Sequence, residues 1–170
     1  MENLKVLYSE EDLNKRIKEL AQEIDENYKG EEIIAICILK GAVFFATDLL
    51  QAMKSDVELE FMQVSSYQGT ESTGKIILKQ DIAKNIECKN VLIIEDIIDT
   101  GHTMKYLKEY LLSKNPKDLK IVVLLDKKER RQTEVEIDYT GFVIPNKFVV
   151  GYGFDIDDKC RNIPYVGYIE

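Results

Sequence analysis

Cysteine is scarce and unpaired in number: Cys37, Cys88 and Cys160 are the only three in 170 residues, far apart and without metal-binding spacing. That pattern reads as reduced thiols in a reducing cytosol, and Cys37, inside the apolar run Ile33 to Leu39, as a small core hydrophobe. Positive charge is short as well: 23 Lys and Arg against 31 Asp and Glu give a formal net charge of -8. Such a surface repels a nucleic-acid polymer or an anionic membrane on average, so any anionic ligand must be held locally. There is no Pro-rich, Ser-rich or repeated stretch to mark a linker or an array. The longest apolar candidate for a membrane segment, Ile33 to Leu50, contains Lys40, Gly41 and Asp48 and divides better into a strand, a turn and a helix. Met1 to Lys15 lacks a basic patch followed by an apolar stretch, so no secretory signal is expected.

What remains is ordinary for a globular chain, 45% hydrophobic and 32% charged, and one domain over residues 1–170 is expected. Ser9 followed by Asp12 has the form of a helix-capping box, and Leu13, Ile17, Leu20 and Ile24 recur at helical spacing. Glu32 to Leu39, Val91 to Ile94 and Ile121 to Leu125 are apolar runs suited to strands covered on both faces. Helices are expected over Ala42 to Met53 and Thr103 to Ser113. Val57, Leu59 and Phe61 alternate with Glu58 and Glu60, as in a half-exposed strand. Ser65 to Lys75 offers almost nothing to bury and reads as a mobile loop. Short strands are expected around Glu134 to Tyr139 and Phe148 to Tyr152, with turns at Pro145-Asn146 and Gly153. The predicted fold is α/β, a roughly five-stranded parallel core flanked by helices, with a small hood from the C-terminal tail.

The informative segment runs from Val91 to Thr103: a hydrophobic strand, the adjacent acids Glu95 and Asp96, a third acid Asp99, then Thr100-Gly101-His102-Thr103 opening a helix. Ligands of open parallel sheets bind beyond the carboxyl ends of strands, where Glu95 and Asp96 fall. A helix amino terminus with free backbone donors, a permissive glycine and two hydroxyls makes a phosphate cradle. Acids beside a phosphate are repulsive unless a cation or a sugar hydroxyl intervenes. The pair therefore suits a ligand that carries a phosphate and a diol with magnesium attached. A bare Asp-Thr-Gly is more often a turn and a helix cap.

The whole string resembles the phosphoribosyl pyrophosphate signature of type I phosphoribosyltransferases, of the hypoxanthine-guanine branch in particular. Four further segments agree with that family in order. Leu39-Lys40-Gly41 resembles its pyrophosphate loop, which implies a strained turn with a cis peptide as one form of it. Ser66-Tyr67 and the polar stretch to Lys75 resemble its closing lid, and Leu125-Asp126-Lys127 its base-reading lysine. Phe148-Val149, with Asp155 and Arg161 after it, resembles a base-stacking segment, a magnesium-contacting acid and a pyrophosphate-contacting arginine. Taken singly, Lys40 and Lys127 are solvated strand-end charges, Phe148 a core aromatic and Arg161 a surface side chain.

The resemblance implies purine salvage in the cytoplasm: magnesium-dependent transfer of 5-phosphoribosyl from phosphoribosyl pyrophosphate to a 6-oxopurine, by a homodimer or homotetramer. It implies that Glu95 and Asp96 hold the ribose diol and, with Asp155, the metal. Thr100, Gly101, His102 and Thr103 would hold the 5-phosphate through their backbone, Lys40, Gly41 and Arg161 the pyrophosphate, and Asp99 the proton of the base. Lys127 would read the base oxygen, Phe148 and Val149 its face and edge. A nucleic-acid-binding regulator on the same fold is the alternative, and it would need a basic face.

Overall fold

The computed structural model describes residues 4–66 and 76–169. Its centre is a six-stranded sheet in the order β4-β3-β2-β5-β6-β7. The strands are β2 (Ile33–Leu39), β3 (Val57–Ser66), β4 (Ile76–Gln80), β5 (Asn90–Ile98), β6 (Asp118–Asp126) and β7 (Tyr139–Val143). β3, β2, β5, β6 and β7 run parallel, and β4 closes one edge antiparallel to β3. The expected five-stranded parallel core is therefore present, with one edge strand added. β2 and β5 are nearly continuous apolar runs because both of their faces are covered.

Helices α1 (Glu10–Tyr28) and α2 (Val43–Ala52) cover one face, where Leu13, Ile17, Leu20 and Ile24 pack with Phe45, Leu49, Leu92 and Ile94. Helix α3 (His102–Leu112) covers the other, with Met104, Leu107 and Leu111 against Ile34, Ile36, Ile93 and Ile121. The capping box of α1 is formed: Ser9 Oγ accepts from Asp12 N at 3.1 Å and Asp12 Oδ2 accepts from Ser9 N at 2.9 Å. Arg16 fastens the same helix to β7, donating to the carbonyls of Thr140 and Gly141 at 2.8 and 3.0 Å. Among the described residues no helix is long and apolar enough to cross a membrane.

The hood is built differently from the expectation. It is a separate antiparallel sheet, β1-β9-β8, made of β1 (Leu4–Tyr8), β8 (Phe148–Val150) and β9 (Val166–Ile169), so the amino terminus joins the tail. The strand expected over Glu134 to Tyr139 is also displaced, because β7 begins only at Tyr139. Asp138 explains the displacement: its carboxylate accepts the Ile121 N–H at 2.8 Å while its own N–H donates to the Ile121 carbonyl at 3.1 Å. A side chain thus takes a ladder position, and the residues before it stay unpaired although Val135 and Ile137 pack inward.

The hood is tied to the main layers through Tyr152, whose hydroxyl donates to Asp48 Oδ2 of α2 at 2.5 Å and whose buried phenol is pushed to a higher pKa by desolvation and then by Asp48. Tyr152→Phe should lower unfolding free energy by about 1.5–3 kcal/mol, the range for a hydrogen bond to a charged group. Urea denaturation measures the loss, and an unchanged midpoint would mean that the hydroxyl contributes nothing.

Candidate active site

Register brings the predicted residues to one edge of the sheet. In the parallel pairing Cys37 lies beside Ile94, Ile97 beside Leu125 and Ile98 beside Asp126. The carboxyl ends of β2, β5 and β6 therefore deliver Lys40, Glu95 to Asp99 and Lys127 to a common rim. A cleft of about 160 Å³ opens there, lined by residues from Glu95 to Gly101 together with Thr103 and Met104.

The Leu39–Lys40 peptide is cis, as the resemblance implied for this turn. Gly41 then passes so close to the acidic pair that a methyl group on it would fall 1.7 Å from Asp96 Oδ2. Any larger residue there would force the Asp96 carboxylate to move.

Glu95 is buried and Asp96 half-buried, each bonded to the chain that follows: Glu95 Oε1 accepts from Asp96 N at 3.0 Å, and Asp96 Oδ1 from Ile97 N at 2.7 Å. Desolvation, then the neighbouring Asp96 charge, pushes the Glu95 carboxyl well above the usual carboxylate range. Desolvation raises Asp96 as well, against the lowering effects of its bonds and of Arg161. The pair also pushes the buried Cys37 thiol up to about 12, burial being the larger cause. No three His, Cys, Asp or Glu side chains converge on one point among the described residues. The expected trio of Glu95, Asp96 and Asp155 is thus not gathered. Two crowded oxygen donors still suit magnesium, which keeps waters and substrate oxygens for most of its positions.

Beyond the pair, Gly101 takes φ +90°, which swings the chain into α3. The first main-chain bond of that helix is Lys105 N to Gly101 O, so the N–H groups of Gly101, His102 and Thr103 have no main-chain acceptor among the described residues. These are the free donors that an anion needs. His102 is exposed and its Nε2 lies 3.1 Å from Gln132 Oε1, consistent with a backbone role at this position.

Sequence reasoning missed the segment that supports this turn. Gln132 N and Thr133 N both donate to the Thr100 carbonyl, at 2.9 and 3.2 Å. Arg130 Nε pairs with Asp99 Oδ1 at 2.9 Å, and Arg131 reaches the Asp99 carbonyl at 3.3 Å. The only signal was the Arg-Arg dipeptide, which carries no direction.

Across the cleft, Arg161 pairs with Asp155 Oδ1 at 2.9 Å and Asp158 Oδ1 at 3.0 Å, and Lys40 meets the same Asp158 oxygen at 3.0 Å. Those contacts hold the Asp158 carboxyl below its ordinary value, Lys40 foremost. Phe148 is 57% exposed on the hood, so its ring is a free platform rather than a core aromatic. Val149 behind it is buried. Lys127 Nζ has no hydrogen-bond or ion-pair partner among the described residues, and its main-chain N–H donates to Ile98 O at 3.0 Å. Ser66 ends β3 opposite Ile76; Tyr67 and the rest of the expected lid lie outside the described residues.

An acidic pair at a strand end beside a helix amino terminus with free main-chain donors is the arrangement expected of a phosphoribosyltransferase, and the chain belongs to that family: the phosphoribosyl transferase domain model matches residues 4–157. More particularly, it is 50% identical over 169 residues to the hypoxanthine-guanine phosphoribosyltransferase of Aquifex aeolicus, covering 98% of this chain and 95% of that protein. It is 45% identical over 167 residues to the hypoxanthine-guanine-xanthine phosphoribosyltransferase of Tritrichomonas foetus, 98% of this chain and 91% of that one. The crystal structure of a hypoxanthine-guanine phosphoribosyltransferase from Bacillus anthracis superposes with a TM-score of 0.94 at 46% identity over 99% of both chains. These similarities set the chain in the hypoxanthine-guanine branch.

The raised acids give a pH dependence. A carboxyl raised in the folded state keeps a proton that the unfolded chain has released, so its contribution to stability is full below the ordinary values of 4.5 and 3.8 and is lost as pH rises through the raised ones. Glu95 and Asp96 should therefore contribute a loss of stability to the metal-free protein from about pH 4 upward, and Glu95→Gln should gain on the parent over that range. Urea midpoints for both proteins across pH 4 to 8 provide the test; parallel curves would remove the assignment.

Proposed function

We propose that the chain salvages purines by moving 5-phosphoribosyl from phosphoribosyl pyrophosphate to hypoxanthine or guanine, releasing pyrophosphate and the nucleoside monophosphate. The observation that carries this reading is the convergence of the Glu95–Asp96 pair, the Thr100–Thr103 cradle and Lys127 on one rim. A ring nitrogen of the base forms a bond to the ribose anomeric carbon while the bond from that carbon to the pyrophosphate oxygen breaks. The protein does little covalent work; it positions two reactants and excludes water.

Glu95 and Asp96 hold the ribose hydroxyls, and the backbone of Thr100, Gly101, His102 and Thr103 holds the 5-phosphate. Glu95 and Asp96 would hold magnesium, with Asp155 as the third acid of the expected set, and the ion would supply charge neutralisation for the departing pyrophosphate. Lys40 and Arg161, with the Gly41 backbone between the loop and Asp96, receive that group. Their present partner Asp158 is exposed, and an exposed ion pair yields easily to a multiply charged competitor. Asp99 bonds the second imidazole nitrogen of the base and takes or holds its proton. Arg130 takes only one of the two Asp99 carboxylate oxygens. Phe148 stacks on the base, and Val149 with Asp155 lies along the edge that separates guanine from hypoxanthine.

Lys127 sets the base class, because an ammonium only donates: it suits a 6-oxo group and meets the amine of adenine donor to donor. The protein acts as one phosphoribosyltransferase domain in the cytoplasm, in keeping with its free thiols. It assembles as a homodimer or homotetramer, in keeping with Leu59 and Phe61 exposed on one face of β3.

The deciding experiment is pyrophosphate release with hypoxanthine, guanine, xanthine, adenine or uracil, each with phosphoribosyl pyrophosphate and magnesium. Turnover of the 6-oxopurines alone supports the reading, and none with any purine ends it. Lys127→Gln should lose hypoxanthine turnover while narrowing the hypoxanthine-to-adenine ratio of kcat/KM, since an amide both donates and accepts. Equal losses for both bases would remove Lys127 from base reading. Asp99→Asn should lower kcat by about 100- to 10,000-fold with phosphoribosyl pyrophosphate affinity kept. Wild-type turnover across the pH profile would reduce Asp99 to a loop cap.

A further inference from the structure

Arg131 has no part in the chemistry above, yet it touches Asp99 and the residue directly beside Lys127. On one side its Nη2 pairs at 2.5 Å with Asp126, the last residue of β6 and the direct neighbour of Lys127. Asp126 is only 2% exposed, so its carboxylate has almost no water to fall back on and depends on that cation. On the other side Arg131 Nε donates to the main-chain carbonyl of Asp99. Its stem runs across the turn between them: a methyl group on Gly101 would lie 2.8 Å from Arg131 Cδ. One planar guanidinium therefore bridges the strand end that carries Lys127 and the turn that carries Asp99. Lysine has three donors but on one nitrogen at the end of a flexible stem, so it would not fix the separation of the two acceptors as the arginine fork does with two nitrogens at set spacing and direction.

The support is selective. Thr100, the first residue of the phosphate cradle, has its own bonds from Gln132 N and Thr133 N. Arg131 acts one residue earlier, on the base side of the turn.

We propose that Arg131, braced on Asp126, is a positioning residue that sets the separation between Lys127 and Asp99 and hence the fit of the purine. The proposal rests on the base-handling roles given to those two residues. It differs from a purely structural ion pair in what survives when the pair is replaced as a unit. Arg131→Met combined with Asp126→Leu removes both charges together and leaves no buried carboxylate unpaired, so thermal stability should stay near that of the parent. The bond to the Asp99 carbonyl cannot return.

The double variant should show kcat/KM for hypoxanthine reduced by about 10- to 100-fold, the penalty of an ångström-scale misplacement, with KM for phosphoribosyl pyrophosphate changed far less. Arg131→Lys, which keeps a cation for Asp126, should show the same split. In ligand-free protein, the amides bonded to carbonyls of that turn, those of Lys105, Lys127, Gln132 and Thr133, should exchange faster in both variants than in the parent. Parent-like kinetics and exchange in the double variant at equal Tm would overturn the proposal, leaving Arg131 as a counter-ion only. If the double variant does not fold, Arg131→Lys decides alone: a parent-like KM for the base with parent-like exchange overturns it. Should the parent itself use no purine, the functional reading fails, and the exchange comparison still decides whether Arg131 holds the turn.

Discussion

Two carboxylates placed side by side at the end of a buried strand repel each other, and much of the rim is arranged around that repulsion. Glu95 cannot turn to solvent and Asp96 only in part, because β5 is the centre of the sheet and the Lys40–Gly41 turn presses against Asp96. Main-chain N–H groups take part of the charge, and Arg161 contributes from a distance. The remainder favours a ligand that brings cationic charge or hydroxyl donors. A sugar diol with an attached divalent ion meets both demands, which is why an acidic chain can host a polyanionic substrate at this one place.

The parallel register converts that local tension into a site. Because β2, β5 and β6 all run the same way, their carboxyl ends meet at one edge, and a residue following each strand becomes a neighbour of residues following the others. The hood completes the arrangement from the side. β8 is three residues long, and its brevity leaves Phe148 outside the packing while Val149 and Val150 are held inside it.

The parts readable from the sequence were those whose cause is local. The capping box of α1, the apolar runs of β2 and β5 and the acid-hydroxyl turn after β5 are each specified by residues within a few positions of one another. The resemblance to a family added Lys40, Lys127 and Arg161, which no local pattern would have separated from ordinary surface charges. What was not legible depends on distant partners. β1 is a strand only because β9, at the far end of the chain, pairs with it. The missing strand before Tyr139 turned on a single carboxylate, Asp138, competing with the ladder. The brace of Asp126 by Arg131, and the hold of Arg130 on Asp99, arise from where a short helical turn after β6 happens to aim two adjacent side chains.

Asp158 gives the site a memory of its empty state. Lys40 and Arg161 share one of its carboxylate oxygens across the cleft mouth, so the two cations are never bare. An anion that leaves them would be succeeded by a tethered one at very high local concentration. Departure of an anion from these cations then becomes an exchange of partners rather than a separation of charges, at the cost of some affinity, since the tethered carboxylate competes for the same cations.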